Sequence, residues 1–190
     1  MRGKSKMNAS RAKVSSFVEE TEQRLEMKVM EKELGKAIEL RKNGNFKESN
    51  EILIKLVQEY PDNASINYQC AWSFDLLGEE ANAVLFYENG IKLGLPSEEL
   101  EGALLGLGST YRTLGEYEKS KSTFLEGIEL FPNNKAIQTF YSMTLYNLNE
   151  HSKAMELLLK CLIETTKNAE IISYKKAIDF YSDKLDEVWK

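Results

Sequence analysis

The sequence has 190 residues, of which 42% are hydrophobic and 29% are charged, a balance typical of a globular domain rather than a disordered chain. Its formal net charge of −5 at pH 7 argues against a broad basic surface for nucleic acid. No apolar run approaches the roughly 18 residues needed to span a bilayer, and two cysteines are too few for a disulfide framework. We therefore expect a cytoplasmic protein that does not contact a membrane.

The first 13 residues carry five basic side chains and no acidic one. They lack the apolar segment of a secretory signal. Charge runs of this kind are generally solvated, so we expect a disordered basic arm over residues 1–13. Contact of this arm with nucleic acid, membrane lipid or the protein's own acidic surface is the weaker alternative.

A thin apolar stripe follows the arm and predicts a helix over residues 14–29 that continues into the next helical segment. The stripe requires a partner, and three are open: the following repeats, the same helix of a second copy, or the groove of another molecule. Its members, spaced three or four residues apart and interrupted by a threonine, are Val14, Val18, Thr21, Leu25 and Val29.

Residues 30–168 contain four similar units, at 30–63, 64–95, 101–134 and 135–168. The turn in the middle of each unit carries Gly44, Gly78, Gly115 or Asn149, at steps of 34, 37 and 34 residues. A glycine here predicts the left-handed conformation that ends a helix. A period of about 34 is typical of helix–turn–helix units that stack into a solenoid.

Small and large residues alternate at fixed positions of these units, which predicts that the two helices of each unit cross closely. The small residues are Ala37, Ala71, Gly108 and Ser142 in the first helix, and Ser49, Ala83, Ser120 and Ala154 in the second. The large ones are Leu40, Phe74, Tyr111 and Leu145, followed by Leu53, Tyr87, Phe124 and Leu158.

The last segment, residues 169–190, carries an apolar stripe that predicts one amphipathic helix ending near residue 188. This helix is expected to cap the fourth unit, which otherwise ends with a bare apolar face. The stripe consists of Ile171, Tyr174, Ile178, Tyr181, Leu185 and Val188.

The segments QCAWSFDLLGEEANAV and LLGLGSTYRTLGEYEKSKSTFLEGIELFPNN resemble tetratricopeptide repeats. Together with LRKNGNFKESNEILIKLVQEYPDN they make the chain similar to small bacterial proteins built of such repeats. The resemblance runs from about Met30 to the C-terminus and implies an all-α, right-handed superhelical solenoid. It also implies protein–protein interaction through a concave groove lined by the first helix of each unit, and no catalytic residues.

One subclass of the family clamps a C-terminal carboxylate with lysines and asparagines on the first helices. At the matching positions this chain has Leu34, Ile38, Gly102 and Gly106, so we expect no such clamp. Gly102 and Gly106 are instead expected to leave space for a pocket.

The groove positions implied by the resemblance yield six candidate partner-binding residues, of types enriched at binding hot spots except for the asparagine. They are Arg41, Tyr68, Trp72, Arg112, Tyr146 and Asn147. The other interpretation of Tyr68 and Trp72 is that they pack between neighbouring first helices.

No catalytic, cofactor or metal site is expected. His151 is the only histidine, and neither Cys70 nor Cys161 has a histidine at motif spacing. The run GALLGLGST lacks the Lys–Ser/Thr pair of a phosphate loop. The sequence therefore predicts a non-enzymatic scaffold that binds a peptide or helix of another protein. The alternative is a self-associating protein, such as a homodimer, joined through its terminal helices.

Overall fold

The computed structural model describes the backbone of residues 2–189 and the side chains of residues 20–189. Between residues 2 and 189 the chain forms ten helices and no strand, which confirms the all-α prediction. The helices are α1 Arg2–Lys42, α2 Phe46–Glu59, α3 Ala64–Asp75, α4 Glu80–Leu93, α5 Ser97–Thr113, α6 Tyr117–Leu130, α7 Lys135–Asn147, α8 His151–Thr165, α9 Ala169–Ser173 and α10 Lys175–Ser182.

The turn of each unit is closed by one residue in the left-handed conformation. The φ angle is +82° at Gly44, +71° at Gly78, +80° at Gly115 and +62° at Asn149. Asparagine tolerates this region better than most residues with a side chain. In every unit the next residue donates its backbone N–H back across the turn, which satisfies a carbonyl at the helix end. These bonds, 2.9 to 3.0 Å long, join Asn45 to Leu40, Glu79 to Phe74, Glu116 to Tyr111 and Glu150 to Leu145.

The two helices of each unit cross where both contribute small residues. Ser49 Oγ donates to the carbonyl oxygen of Ala37 at 2.7 Å, and Ser120 Oγ makes the same bond with the carbonyl oxygen of Gly108, also at 2.7 Å. A side chain of one helix reaches the backbone of the other only because the two helices lie close together. All eight small residues at these positions are buried, which confirms the prediction.

The units stack in two rows. The first helices, α1, α3, α5 and α7, contact their neighbours along one row, while α2, α4, α6 and α8 lie between them on the other side. The result is the right-handed solenoid that the repeat pattern predicts. In the part of the chain that the structure describes, no helix is both long and apolar enough to cross a membrane.

The N-terminal helix is longer than the sequence indicates. Its backbone is helical from Arg2, where we expected a disordered arm over residues 1–13. No proline interrupts residues 2–42, so nothing in the backbone ends the helix. Residues 20–29 are exposed on every side, and packing against α2 and α3 begins at Met30.

The C-terminal segment differs from the single helix expected over residues 169–188. It contains α9 and α10, separated at Tyr174, and the second helix ends at Ser182. This stretch has neither glycine nor proline, so its sequence carries no signal for the break. Asn168 caps α9 by accepting hydrogen bonds from the backbone N–H groups of Glu170 and Ile171, and α10 packs against α8.

Candidate functional site

The row of first helices carries a cleft in its middle, here called the central cleft. It has a volume of about 420 Å³ and lies between α3 and α5, with contributions from α4 and α7. Its largest exposed side chain is Trp72, which is 41% exposed. The lining residues are Tyr68, Trp72, Asp75, Leu76, Tyr87, Gly102, Leu105, Gly106, Ser109 and Phe140.

The buried guanidinium of Arg41 stacks on the ring of Trp72. Its guanidinium carbon lies 3.8 Å from the centre of the Trp72 ring, and its Nη2 donates to Gln69 Oε1 at 2.6 Å. Arg41 is only 8% exposed, and this burial lowers the pKa of its guanidinium. A desolvated cation over an indole face stabilises by about 2 kcal/mol, so Arg41 fixes the orientation of the tryptophan.

The two glycines of α5 make room for tyrosines of the preceding unit. A Cβ atom at Gly102 would lie 2.3 Å from Tyr68 Oη, and one at Gly106 would lie 2.4 Å from Tyr87 Oη. The space that we expected these glycines to leave is therefore partly filled by two phenol rings. The rings form the floor of the central cleft.

The half-buried carboxylate of Asp75 holds this floor in place. Tyr87 Oη donates to Asp75 Oδ2 at 2.7 Å, and Thr110 Oγ1 lies 3.0 Å from Asp75 Oδ1. Burial raises the pKa of Asp75, although the hydrogen bonds from Tyr87 and Thr110 act in the opposite direction. Through these two hydrogen bonds, the Asp75 carboxylate of α3 connects α4 and α5 at the floor of the cleft.

A second cleft, here called the terminal cleft, lies at the C-terminal end of the same row. It has a volume of about 440 Å³. The row of first helices ends at α7, because the next long helix, α10, packs against α8. Side chains of both α7 and α8 therefore line the cleft. Its lining residues are Arg112, Ser142, Met143, Tyr146, Asn147, His151, Ala154, Met155 and Leu158.

The terminal cleft combines apolar walls with polar atoms that lack partners. Arg112 Nε and Asn147 Oδ1 are buried and have no hydrogen-bond partner among the described residues. Tyr146 is 64% exposed, and its ring centre lies 4.7 Å from that of His151. A buried donor or acceptor without a partner costs about 1–3 kcal/mol, so this cleft is suited to a ligand that supplies one.

The six residues predicted from the sequence fall into two groups. Trp72, Arg112, Tyr146 and Asn147 line the two clefts and are exposed or half-buried. Arg41 and Tyr68 are buried. Tyr68 lies against Gly102 and still lines the central cleft, whereas Arg41 lies behind Trp72 and lines neither cleft.

Sequence reasoning missed the side chains that α8 contributes to the terminal cleft. The resemblance assigns the groove to first helices, and α8 is the second helix of its unit. His151, Met155 and Leu158 reach the cleft because the row ends at α7. The repeat pattern carries no signal for this contribution, because it assigns these three residues only to the second helix of their unit.

The described residues include two free thiols and one histidine. Among them, no group of three or more His, Cys, Asp and Glu side chains is arranged to hold a metal ion. Cys70 and Cys161 are both buried as free thiols, and burial raises the pKa of Cys70 to about 12. The basic side chains predicted to form the arm at residues 1–13 lie outside the residues whose side chains are described.

A comparison with protein families finds a match to this chain. A family described as the tetratrico peptide repeat matches residues 64–185, which is more than half of the chain. No curated protein has a significant match to this sequence.

Solved structures of similar fold also consist of such repeats. MamA residues 41 to the end from Desulfovibrio magneticus RS-1 is 12% identical, with a TM-score of 0.65 over 83% of this chain and 87% of that one. A MamA structure designated MSR-1 C2 is 18% identical, with a TM-score of 0.62 over 70% and 74%. YrrB, a TPR protein with an unusual peptide-binding site, is 12% identical, with a TM-score of 0.62 over 80% of both chains. Because these sequence identities are low, the likeness concerns the fold alone.

Proposed function

The chain belongs to the tetratricopeptide repeat family, and on that premise we propose that it is a non-enzymatic scaffold that binds a partner protein. The ligand is a peptide or helical segment held along the row of first helices. The proposal places the protein in the cytoplasm, where its two cysteines stay reduced.

The observation that carries this proposal is the arrangement of Trp72, Arg112 and Tyr146 along one row. Each lines a cleft of more than 400 Å³, a size within the range of about 300–1,000 Å³ that is common for ligand pockets. Tryptophan, tyrosine and arginine dominate binding energy at protein interfaces. The likeness to YrrB supports a peptide as the ligand.

The proposal is tested with peptides selected by display against the full-length protein, whose affinities are then measured by calorimetry. Trp72→Ala combined with Arg112→Ala is expected to weaken binding at least about a hundredfold, because two hot-spot side chains are lost. The matched control, Leu85→Ala with Lys92→Ala, removes an exposed apolar residue and a cation from α4 and is expected to leave the affinity unchanged. Unchanged affinity in the first variant, with its helicity intact, contradicts the proposal.

Self-association is the second candidate function, and the exposure of residues 20–29 favours it. This part of α1 projects beyond the first unit, with Leu25, Met27 and Val29 each more than half exposed. An apolar surface of this kind on a helix marks a contact with another molecule. Removal of residues 1–28 discriminates the two functions, since a self-associated protein then becomes monomeric in sedimentation, whereas peptide binding in the clefts persists.

A further inference from the structure

We propose that the terminal cleft binds residues 20–29 of α1 from a second copy of this chain. The inference rests on the proposed function, because it names an occupant for one end of the row of first helices. It is carried by the matching chemistry of two surfaces that the solenoid leaves open at opposite ends.

The first surface is one face of α1. At about 100° per residue, Glu22, Leu25, Glu26 and Val29 fall within a sector of roughly 100°. Leu25 is 64% and Val29 55% exposed, and both glutamates are exposed as well. This face therefore presents two apolar side chains next to two carboxylates.

The second surface is the terminal cleft, whose apolar wall and cation complement the apolar and acidic side chains of α1. Met143, Met155 and Leu158 form an apolar wall, and Arg112 stands beside it. Arg112 forms no ion pair among the described residues, and its buried Nε has no hydrogen-bond partner. An apolar cleft with an unpaired cation suits a helix face with leucine, valine and glutamate, since a carboxylate compensates the half-buried guanidinium.

The segment that enters the cleft comes from a second copy because α1 is one continuous helix. Residues 30–42 of α1 pack on α2 of the first unit and on α3 of the second, and residues 20–29 continue the same helix outward. The terminal cleft lies at the other end of the row, where α5, α7 and α8 line it. A rigid helix fixed at the first unit does not fold back to the fourth.

Charge also distinguishes the terminal cleft from the other apolar groove near the C-terminus. That groove, of about 540 Å³, lies between α8 and α10 and is lined by Leu159, Ile171, Tyr174 and Ile178 together with Glu170. Its one charged lining residue is an acid, which would repel Glu22 and Glu26. The acidic face of α1 is therefore assigned to the cleft with Arg112.

This contact is heterologous, since it joins two different surfaces of the same chain. Each copy that donates its α1 still has an open terminal cleft, and each copy that accepts one still has a free α1. Contacts of this kind produce head-to-tail chains or rings instead of a closed twofold dimer. The predicted assembly therefore grows with concentration.

The test is a charge exchange in the full-length protein, followed by sedimentation velocity over a range of concentrations. Arg112→Glu alone, and Glu22→Arg with Glu26→Arg alone, are each expected to weaken self-association about tenfold or more, because like charges then meet. Mixing the two variants is expected to restore association, since each cleft then finds an α1 of opposite charge. Thermal unfolding followed by circular dichroism verifies that every variant is folded.

A matched pair of apolar variants tests the helix face. Leu25→Gln with Val29→Gln is expected to weaken association as the charge variants do. Met27→Gln is the control, because Met27 is 56% exposed but points to the opposite side of α1, and it is expected to change nothing.

Three results would overturn the inference: a wild-type protein that stays monomeric, association that is insensitive to Arg112→Glu, or a mixture that does not recover. If association is lost instead through Tyr174→Ser, the groove between α8 and α10 is the contact. The proposed scaffold function fails on a different measurement, the affinity of selected peptides for the Trp72 and Arg112 variant, so the two outcomes remain separate.

Discussion

Gly108 is a position of the third unit where even a methyl group has no room. A Cβ atom there would lie 2.6 Å from the Phe124 ring, well inside van der Waals contact. Gly35 in α1 is the opposite case, because nothing lies within 4 Å of its would-be Cβ. The same amino acid thus has a packing role at one position and none at the other.

We predict that Gly108→Ala and Gly35→Ala change stability in opposite directions. Alanine in a helix is favoured over glycine by about 0.5–1 kcal/mol, and Gly35→Ala is expected to show this gain. Gly108→Ala is expected to lose about 1–3 kcal/mol, because the Phe124 ring is fully buried and displacing it overpacks the core. Urea denaturation measures both free energies, and a gain at Gly108 would contradict the close crossing of α5 and α6.

Asp75 is expected to make stability depend on pH in the reverse of the usual carboxylate direction. Burial raises its pKa above the ordinary value of 3.8, so the folded state holds the proton more tightly than the unfolded state. The protonated Asp75 therefore adds to the free energy of unfolding. This stabilisation is fully present below the ordinary pKa and is lost as pH rises through the raised pKa of the folded state. The stability of the wild type relative to Asp75→Asn should therefore fall as pH rises from about 3 to 7.

Urea denaturation of the wild type and Asp75→Asn across that pH range checks this prediction. The difference between the two proteins isolates Asp75 from the other carboxylates. A difference that is constant with pH, or that grows as pH rises, would show that Asp75 is not desolvated beneath the central cleft.

At the scale of single elements, asparagines set the start of three helices. Asn63, Asn134 and Asn168 each accept a hydrogen bond from a backbone N–H group in the first turn of α3, α7 and α9. The second helices begin differently, since Glu116 before α6 makes no side-chain cap bond. Asparagine caps thus begin two first helices, α3 and α7, and the terminal helix α9, whereas α5 follows Pro96 and has no side-chain cap bond.

Asn134→Ala is expected to destabilise the protein by about 1 kcal/mol, the usual cost of losing an asparagine cap. Loss of the 2.7 Å bond from Asn134 Nδ2 to Glu101 adds to this effect. Glu116→Ala is the control, and its free energy of unfolding should match that of the wild type in chemical denaturation. Equal stabilities of all three proteins would mean that the cap contributes nothing.

The elements of the repeats could be predicted from sequence, whereas the terminal ones could not. Gly44, Gly78 and Gly115 mark the turns because few other residues adopt a positive φ at low cost, and the structure has them there. The break at Tyr174 has no such marker, since apolar spacing alone does not separate one helix from two.

The candidate site could be predicted only in part for a related reason. Repeat positions identify which helix a residue belongs to, and Trp72, Arg112, Tyr146 and Asn147 do line clefts. The depth of each side chain depends on its neighbours in the next unit. Arg41 is buried because Trp72 covers it, and Tyr68 because Gly102 admits it, contacts between residues more than 25 positions apart.

The whole molecule is a solenoid that is open at both ends. Its first helices form a row with two clefts, α1 projects beyond one end, and the row stops at α7 at the other. Repeat proteins of this kind contact partners with the extended surface that stacking creates. We therefore expect ligands to bind along α3, α5 and α7 and not along α2, α4 and α6.

The most direct test is to map a selected peptide onto the isotope-labelled, full-length protein by NMR. Backbone amide shifts are expected to change along α3, α5 and α7, with the largest changes near Trp72, Ser109 and Met143, which line the two clefts. Changes confined to α2, α4 and α6 would place binding on the opposite side of the solenoid and contradict binding along the row of first helices.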